Sequence, residues 1–310
     1  MKIAFMFSGQ GAQTTGMGKS LYDSFGVCRD TFAEADEALG FPLSKLCFEG
    51  GETLDKTEYA QPAILTHSIA AFRLLQAHDV TPDYAAGLSL GEYSALTAAG
   101  VLSFADAVRL VRARGGLMAE AAPAGTGAMS AVLGLDNDKT EQACAVASTD
   151  EETVACANYN APGQIVISGA AAAVARAEAL CLSAGAKRAV RLAVSGPFHS
   201  RYMQPAAEKL EPLLDALTFA PFAFPVLTNV TAETIPAVEA VRPLLLQQIQ
   251  RPVLWEQSML RLAAMGADTY VELGPGRTLC AFAKKTVKDA VILNVEEAAS
   301  FEKTLAALQK

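Results

Sequence analysis

Gly87-Leu88-Ser89-Leu90-Gly91 is a G-x-S-x-G pattern, with a strand-like run from Tyr84 to Leu88 before it and a helical run to Ala99 after it. At such a junction the chain turns sharply and small glycines tolerate the crowding. The serine hydroxyl then stands above the sheet, beside a helix N-terminus whose positive potential favours developing negative charge. A nucleophilic serine is the chemistry predicted; a Gly-rich turn with no chemistry is the alternative. A serine alone is a weak nucleophile and needs a base, and the chain has three histidines. His67 sits inside the apolar helical pattern 63–70 and reads as a core histidine, while His78, beside Asp79 and Pro82, reads as a solvated helix cap. His199, in Gly196-Pro197-Phe198-His199-Ser200, is the base by elimination.

A second pattern, Phe7-Ser8-Gly9-Gln10-Gly11-Ala12-Gln13, follows the first strand. Backbone N–H groups in such a loop can face an anion, so it could form half of an oxyanion hole completed by the N–H of Leu90. A dinucleotide fingerprint is the competitor, but Thr14 takes its third glycine position and no ribose-binding acid follows on a second strand. Arg114, in Val111-Arg112-Ala113-Arg114-Gly115-Gly116-Leu117-Met118, lies on a helical face with apolar neighbours. A solvated arginine is accepted for Arg112. For Arg114 that reading stands beside another, in which the two glycines admit it to a cleft where it grips a carboxylate bidentately.

The elements that must position these groups follow from periodicity. Lys2 to Phe7 and Tyr84 to Leu88 read as buried strands, with helices between them and a further helix opening at Ser103 with Asp106 as its N3 acid. That β, α, β, α order marks a parallel sheet covered by helices. After a hinge at residues 123–127, strand, helix, two strands, helix and strand up to Val194 make a ferredoxin-like βαββαβ unit. Beyond Gly196-Pro197 the alternation resumes, with a helix over 200–217, strands at 225–228, 269–273 and 291–293, and helices between and after them. The expected organisation is a large α/β domain built from 1–122 and 197–310, with an insertion at 123–196.

Composition limits the function classes. With 51% hydrophobic and 19% charged residues the chain can bury a full core. A net charge of −8 repels nucleic acid and anionic membrane, so neither is an expected partner. The six cysteines form no C-x-x-C pair and share no spacing with the histidines, which argues against a zinc site or disulfide framework and fits reduced thiols in the cytoplasm. The N-terminal apolar run is too short for a secretory signal, and polar residues interrupt the uncharged stretch 153–175, so a soluble protein is expected.

Taken in order, Phe-Ser-Gly-Gln-Gly-Ala-Gln at 7–13, Gly-Leu-Ser-Leu-Gly-Glu-Tyr at 87–93, Arg114-Gly115, Asn-Tyr-Asn-Ala-Pro-Gly-Gln at 158–164, Gly-Pro-Phe-His-Ser at 196–200, Gln248 before Pro252-Val253, and Glu-Leu-Gly-Pro-Gly at 272–276 resemble the malonyl-CoA:acyl carrier protein transacylases. The resemblance spans nearly the whole chain. It implies an α/β-hydrolase-like core with a parallel sheet plus the ferredoxin-like subdomain. It also implies that Ser89 is acylated by malonyl-CoA and that His199 is its base. Gln10 and Leu90 would supply oxyanion-hole amides, Arg114 would hold the malonyl carboxylate, and the backbone carbonyl of Gln248 would orient the histidine, giving a Ser–His dyad without a buried acid. Phe198 and Met118 would lie beside the acyl group, and Lys187 and Arg188 would dock an acidic carrier protein. The alternative for that pair, and for Arg191, Arg201, Lys284 and Lys285, is ordinary solubilising charge. Malonyl-CoA and the carrier's phosphopantetheine are substrates, no cofactor or metal is expected, and the chain is expected to be a monomer. Many members have His where this chain has Leu88 and Pro where it has Ser8.

Two other functions share these features. A serine hydrolase or thioesterase would use the same elbow, but its usual order is Ser, acid, His, with the histidine near the C-terminus. A silent acyl-binding module would have lost Ser89 or His199. Within acyl transfer, a trans-acting enzyme of polyketide synthesis is the alternative to fatty acid synthesis.

Overall fold

A computed structural model describes residues 1–123, 125–194 and 196–309. Ala124, in the expected hinge, Ser195, in the expected 123–196 unit, and Lys310 lie outside the described residues. The chain opens with β1 (Ile3–Phe7), then α1 (Lys19–Ser24), α2 (Gly26–Leu39), α3 (Leu43–Glu49), α4 (Glu52–Asp55) and the long α5 (Thr57–Gln76). β2 (Tyr84–Gly87), α6 (Leu90–Ala98) and α7 (Phe104–Glu120) follow. The middle of the chain forms β3 (Gly127–Leu133), α8 (Asn137–Ala147), β4 (Val154–Ala161), β5 (Gln164–Ala170), α9 (Ala171–Ser183) and β6 (Arg188–Arg191). The rest gives α10 (Gln204–Asp215), α11 (Val241–Gln248), α12 (Trp255–Ala264), β7 (Thr269–Leu273), α13 (Thr278–Thr286), β8 (Val291–Val295) and α14 (Ala298–Leu308).

The expected mixed α/β class is borne out. β2, β1, β7 and β8 form a parallel sheet in that order. Its central strand is apolar on both faces, as a sheet covered on both sides requires. Phe5 and Phe7 pack with Phe32 of α2 and Ile64 of α5, whereas Ala4 and Met6 pack with Met259 of α12 and Phe282 of α13. The second sheet is antiparallel, in the order β4, β5, β3, β6, which is the ferredoxin-like order. One face carries Val132, Ile165 and Ile167 against α8 and α9; Met129, Ala157 and Val166 join the large core instead.

Two expected elements differ. The strand at 225–228 is reduced to isolated bridges, Val226 with Ala85 and Leu227 with Thr234. Pro225 has no N–H to give a ladder, although its carbonyl accepts from Ala85 and so extends the parallel sheet past β2. The helix expected over 200–217 begins as a 3₁₀ turn at Arg201–Met203 and becomes α-helical at Gln204, with Pro205 in the first turn, where a missing N–H costs nothing. At α7, the Ser103 hydroxyl accepts from the Asp106 N–H at 3.1 Å, the N-cap its sequence predicts.

Candidate active site

The elbow between β2 and α6 is pressed against β1. A side chain at Gly87 would strike the backbone of Gly91, and one at Gly91 would strike the Phe7 carbonyl, so both positions admit only glycine. Ser89 is held there at φ 53°, ψ −101°, a conformation L-residues rarely adopt. Its Oγ lies 2.7 Å from His199 Nε2. His199 also has positive φ, 56°, just before the 3₁₀ turn. Its Nδ1 lies 2.9 Å from the Gln248 carbonyl. A carbonyl can only accept, so Nδ1 carries the proton and Nε2 keeps its lone pair for the serine hydroxyl. Burial, reinforced by the Arg114 charge, pushes the imidazole down to about 4 from its ordinary 6.5, leaving the ring neutral at pH 7.

Arg114 reaches the same point from α7. Gly115 makes this possible: a Cβ there would meet the Thr57 carbonyl oxygen at 2.5 Å and Glu58 Cα at 2.8 Å, so only glycine lets α7 cross the start of α5 so closely. The Arg114 side chain is fully buried. It donates from Nη2 to Ser89 Oγ at 3.1 Å and to Gln248 Oε1 at 3.0 Å, and from Nη1 to Gln61 Oε1 at 2.9 Å. Its guanidinium lies 5.0 Å from the centre of the Tyr93 ring, and Nε has no partner among the described residues. Burial pulls its affinity for the proton down from the usual arginine value, although arginine still holds its charge. The arrangement therefore presents a serine hydroxyl, a neutral base and a desolvated cation within one hydrogen-bonded cluster, which is suited to attack on an acyl group bearing a negative charge.

The acyl transferase domain model matches residues 4–307. The malonyl CoA-acyl carrier protein transacylase of Bacillus subtilis (strain 168) is 46% identical over 310 residues, covering 100% of this chain and 98% of its own. An acyl carrier protein S-malonyltransferase from Vibrio cholerae superposes with a TM-score of 0.94 at 42% identity, over 98% of this chain and 100% of that one. The chain belongs to the malonyl CoA-acyl carrier protein transacylase family. A family structure solved as a malonyl-transacylase with its type II PKS acyl-carrier protein gives a TM-score of 0.96 at 42% identity, over 99% of this chain and 100% of that one.

The remaining residues expected to act in this transacylase family member surround the cluster unevenly. Gln10 sits beside it through its side chain, donating to Thr57 Oγ1 at 3.2 Å and accepting from Gln61 Nε2 at 3.3 Å. Leu90 is the first residue of α6, where the N–H has no intrahelical acceptor. Met118 Sδ accepts from Gln61 at 3.6 Å. The buried Phe198 ring and the Met118 carbonyl both lie against Gly196. Lys187 and Arg188 are exposed, at the Leu133 end of β3, whereas the His199 end is marked by Pro197 packing on Gly127.

Three further residues bond to the cluster and were not among the expected site residues. Gln61 ties Gln10, Met118 and Arg114 together. Asn229 bonds both flanks of the nucleophile: its Oδ1 accepts from the Ser89 N–H at 2.7 Å, and its Nδ2 donates to the Gly87 carbonyl at 2.7 Å. Glu92 lies fully buried beneath them. Of the two departures from the family pattern, Leu88 packs its side chain on Gly9 of the loop that carries Gln10. The Ser8 hydroxyl donates to Glu272 Oε1 and to the Pro275 carbonyl, both at 3.3 Å. Among the described residues no group of His, Cys, Asp and Glu could hold a metal ion, and no helix is long and apolar enough to cross a membrane.

Proposed function

We propose that this chain moves a malonyl group from malonyl-CoA to the phosphopantetheine thiol of acyl carrier protein, as an S-malonyltransferase acting through a malonyl-Ser89 intermediate. Ser89 Oγ attacks the thioester carbonyl while its proton passes to His199 Nε2, and the tetrahedral oxyanion is held by the N–H groups of Gln10 and Leu90. The carbonyl re-forms as the C–S bond breaks, and the departing CoA sulfur takes the proton from His199. In the second half the carrier's thiol gives its proton to His199 and its sulfur attacks the ester; Ser89 leaves and regains that proton. Every proton and electron pair is accounted for without a cofactor or metal. The Gln248 carbonyl keeps His199 in the productive tautomer throughout, and Arg114 holds the malonyl carboxylate.

One observation carries this reading: a fully buried arginine, whose hydrogen bonds among the described residues all go to neutral acceptors, donates to the hydroxyl that faces the neutral histidine. The buried Glu92 carboxylate reaches Arg114 only through Gln248, and a buried cation with no directly paired anion is one that a ligand carboxylate stabilises. The supply of malonyl units for fatty acid synthesis, in the cytoplasm, is the setting this reading favours. For domain organisation we retain 1–122, 123–196 and 197–310, supported by β3 to β6 pairing as a separate sheet.

Incubation with labelled malonyl-CoA tests it. We expect a covalent malonyl adduct on Ser89 that carrier protein removes as malonyl-carrier. Release as free malonate at the same rate with or without carrier protein would make the chain a hydrolase, and an adduct persisting in Ser89→Ala would place the nucleophile elsewhere.

A further inference from the structure

Glu92 is fully buried and has no part in the bond-making steps above. Among the described residues its Oε1 has no hydrogen-bond partner, while its Oε2 accepts from the Asn229 N–H at 3.0 Å and from Gln248 Nε2 at 2.8 Å. Those two residues grip the Ser89 main chain from opposite sides. Asn229 Oδ1 takes the Ser89 N–H at 2.7 Å, and Gln248 Nε2 donates to the Ser89 carbonyl at 2.9 Å. The same glutamine orients His199 through its own carbonyl at 2.9 Å and accepts from Arg114 at 3.0 Å.

A single carboxylate oxygen is therefore the common anchor of the two groups that hold the nucleophile's backbone. A residue at φ 53°, ψ −101° is strained and keeps that conformation only when its surroundings over-determine it. Here the turn residues are fixed further by a bridge from α6 through Asn229 and Gln248, two side chains far apart in the sequence. An apolar residue at 92 would leave the Asn229 N–H without an acceptor and would free the Gln248 amide to turn away from the Ser89 carbonyl.

We propose that Glu92 is a positioning residue: by anchoring Asn229 and Gln248 it clamps the Ser89 backbone on both sides and aligns Oγ with His199. The proposal deepens the reading of the site given above and rests on Ser89 being the nucleophile, but not on malonyl being the acyl group. The role lies in acceptor geometry, because both bonds end on one oxygen, which an amide carbonyl can reproduce.

The test compares the intact protein with Glu92→Gln, Glu92→Met and Asn229→Ala. The readouts are the rate at which a fluorophosphonate probe labels Ser89, the kcat and KM for malonyl-CoA, and the thermal midpoint. The probe reports serine reactivity whatever the natural substrate, so a parent that labels but does not transfer malonyl overturns the functional reading while leaving the clamp testable. A displaced nucleophile costs on the order of 10²-fold, so labelling and kcat should fall about 10- to 100-fold in Glu92→Met and Asn229→Ala, with KM within about twofold. Glu92→Gln should recover most of that loss, since its carbonyl oxygen accepts both bonds. If Glu92→Met does not fold, Asn229→Ala and Glu92→Gln decide alone. Labelling of folded Glu92→Met or Asn229→Ala at the parent rate would overturn the proposal. So would a Glu92→Gln variant that stays folded yet labels below a tenth of the parent rate, since charge rather than geometry would then be at issue.

Discussion

Arg114 Nη2 donates to Ser89 Oγ at 3.1 Å while Ser89 Oγ faces His199 Nε2 at 2.7 Å. The serine hydrogen therefore points at the histidine, and the guanidinium occupies a second lone pair of the same oxygen. A buried cation at that distance stabilises negative charge on the serine as its proton leaves. It also lowers the basicity of His199, so the two effects on proton transfer oppose each other. Once an acyl group bearing a carboxylate arrives, the Arg114 fork can turn to a charged acceptor.

Arg114→Ala should therefore separate acyl groups by charge. A charge-assisted bidentate pair contributes roughly 1.5–3 kcal/mol, which corresponds to about 10- to 150-fold in malonyl loading. Acetyl loading, which has no carboxylate to lose, should hold or rise. Equal losses for malonyl and acetyl, measured by intact-mass loading rates, would reduce Arg114 to a structural cation.

The pH dependence of Ser89 acylation follows from the histidine's environment. His199 is pushed down to about 4, so the base is already deprotonated well below its ordinary 6.5. The acid limb of kcat/KM should fall nearer 4 than 6.5, provided the protein stays folded. His199→Ala should slow acylation by about 10² or more, typical for a lost general base. An acid limb at 6.5 or above would mean that solvent reaches the imidazole.

The fold was legible where periodicity was strong and less so where the backbone was punctuated. α5 and the β3 to β6 unit read directly from apolar spacing. Pro225 turned an expected strand into bridges, and Pro205 marked a helix start that periodicity alone placed four residues early. In the site, Ser89 was visible because it stands in a short pattern with its own turn chemistry, and His199 because the other two of three histidines read as core and cap. Glu92 stood within the elbow motif, yet a lone acid in the first turn of a helix reads as a dipole partner. Gln61 and Asn229 left no signal. One is a polar residue inside an apolar helix and the other follows an irregular bridge, and only tertiary contact tells either from a solvated side chain.

His67 offers a stability test separate from the chemistry. It is buried with Nε2 2.9 Å from the Glu296 carbonyl, and burial pushes it down to about 4. The unfolded chain takes up the proton near 6.5 and the folded chain does not, so stability falls as pH drops from 6.5 towards 4. The full loss for this group is roughly 3 kcal/mol. In urea unfolding, His67→Phe should have its stability deficit relative to the parent shrink across that window. A deficit that stays constant from pH 7 to 4.5 would show that His67 titrates alike in both states.

Phe198 is 5% exposed and packs against Gly196, which also meets the Met118 carbonyl. If the acyl group lies beside His199 as proposed, this ring is what a branch on the acyl chain would meet. Phe198→Ser should raise the methylmalonyl-to-malonyl loading ratio; an unchanged ratio would put the ring outside the acyl pocket.

Docking of an acidic carrier protein cannot draw on net charge, because the enzyme itself carries −8. It must use local basic residues, and the structure sorts the candidates. Arg191 pairs with Glu178 at 2.9 Å, and Arg201 donates to the Asp150 and Glu151 carbonyls. Lys187 and Arg188 are exposed, with no ion pair among the described residues. The Lys187 stem lies over Gly134, whose N–H donates to the Gly163 carbonyl at 2.7 Å, and next in sequence Gln164 accepts from Lys285 at 3.0 Å. Lys285 thus joins the 187–188 pair at one end of the small sheet. That end is on the order of 20 Å along β3 from the Gly127 end near His199, so the carrier must present its thiol on an extended arm. Lys187→Glu with Arg188→Glu should raise the apparent KM for carrier protein several-fold at low salt, and less at high salt, where charges are screened beyond about 8 Å. Acylation of Ser89 from malonyl-CoA should be unchanged. Adding Lys285→Glu should deepen the low-salt defect, whereas parent-like transfer by the double variant at low salt would move the docking surface elsewhere.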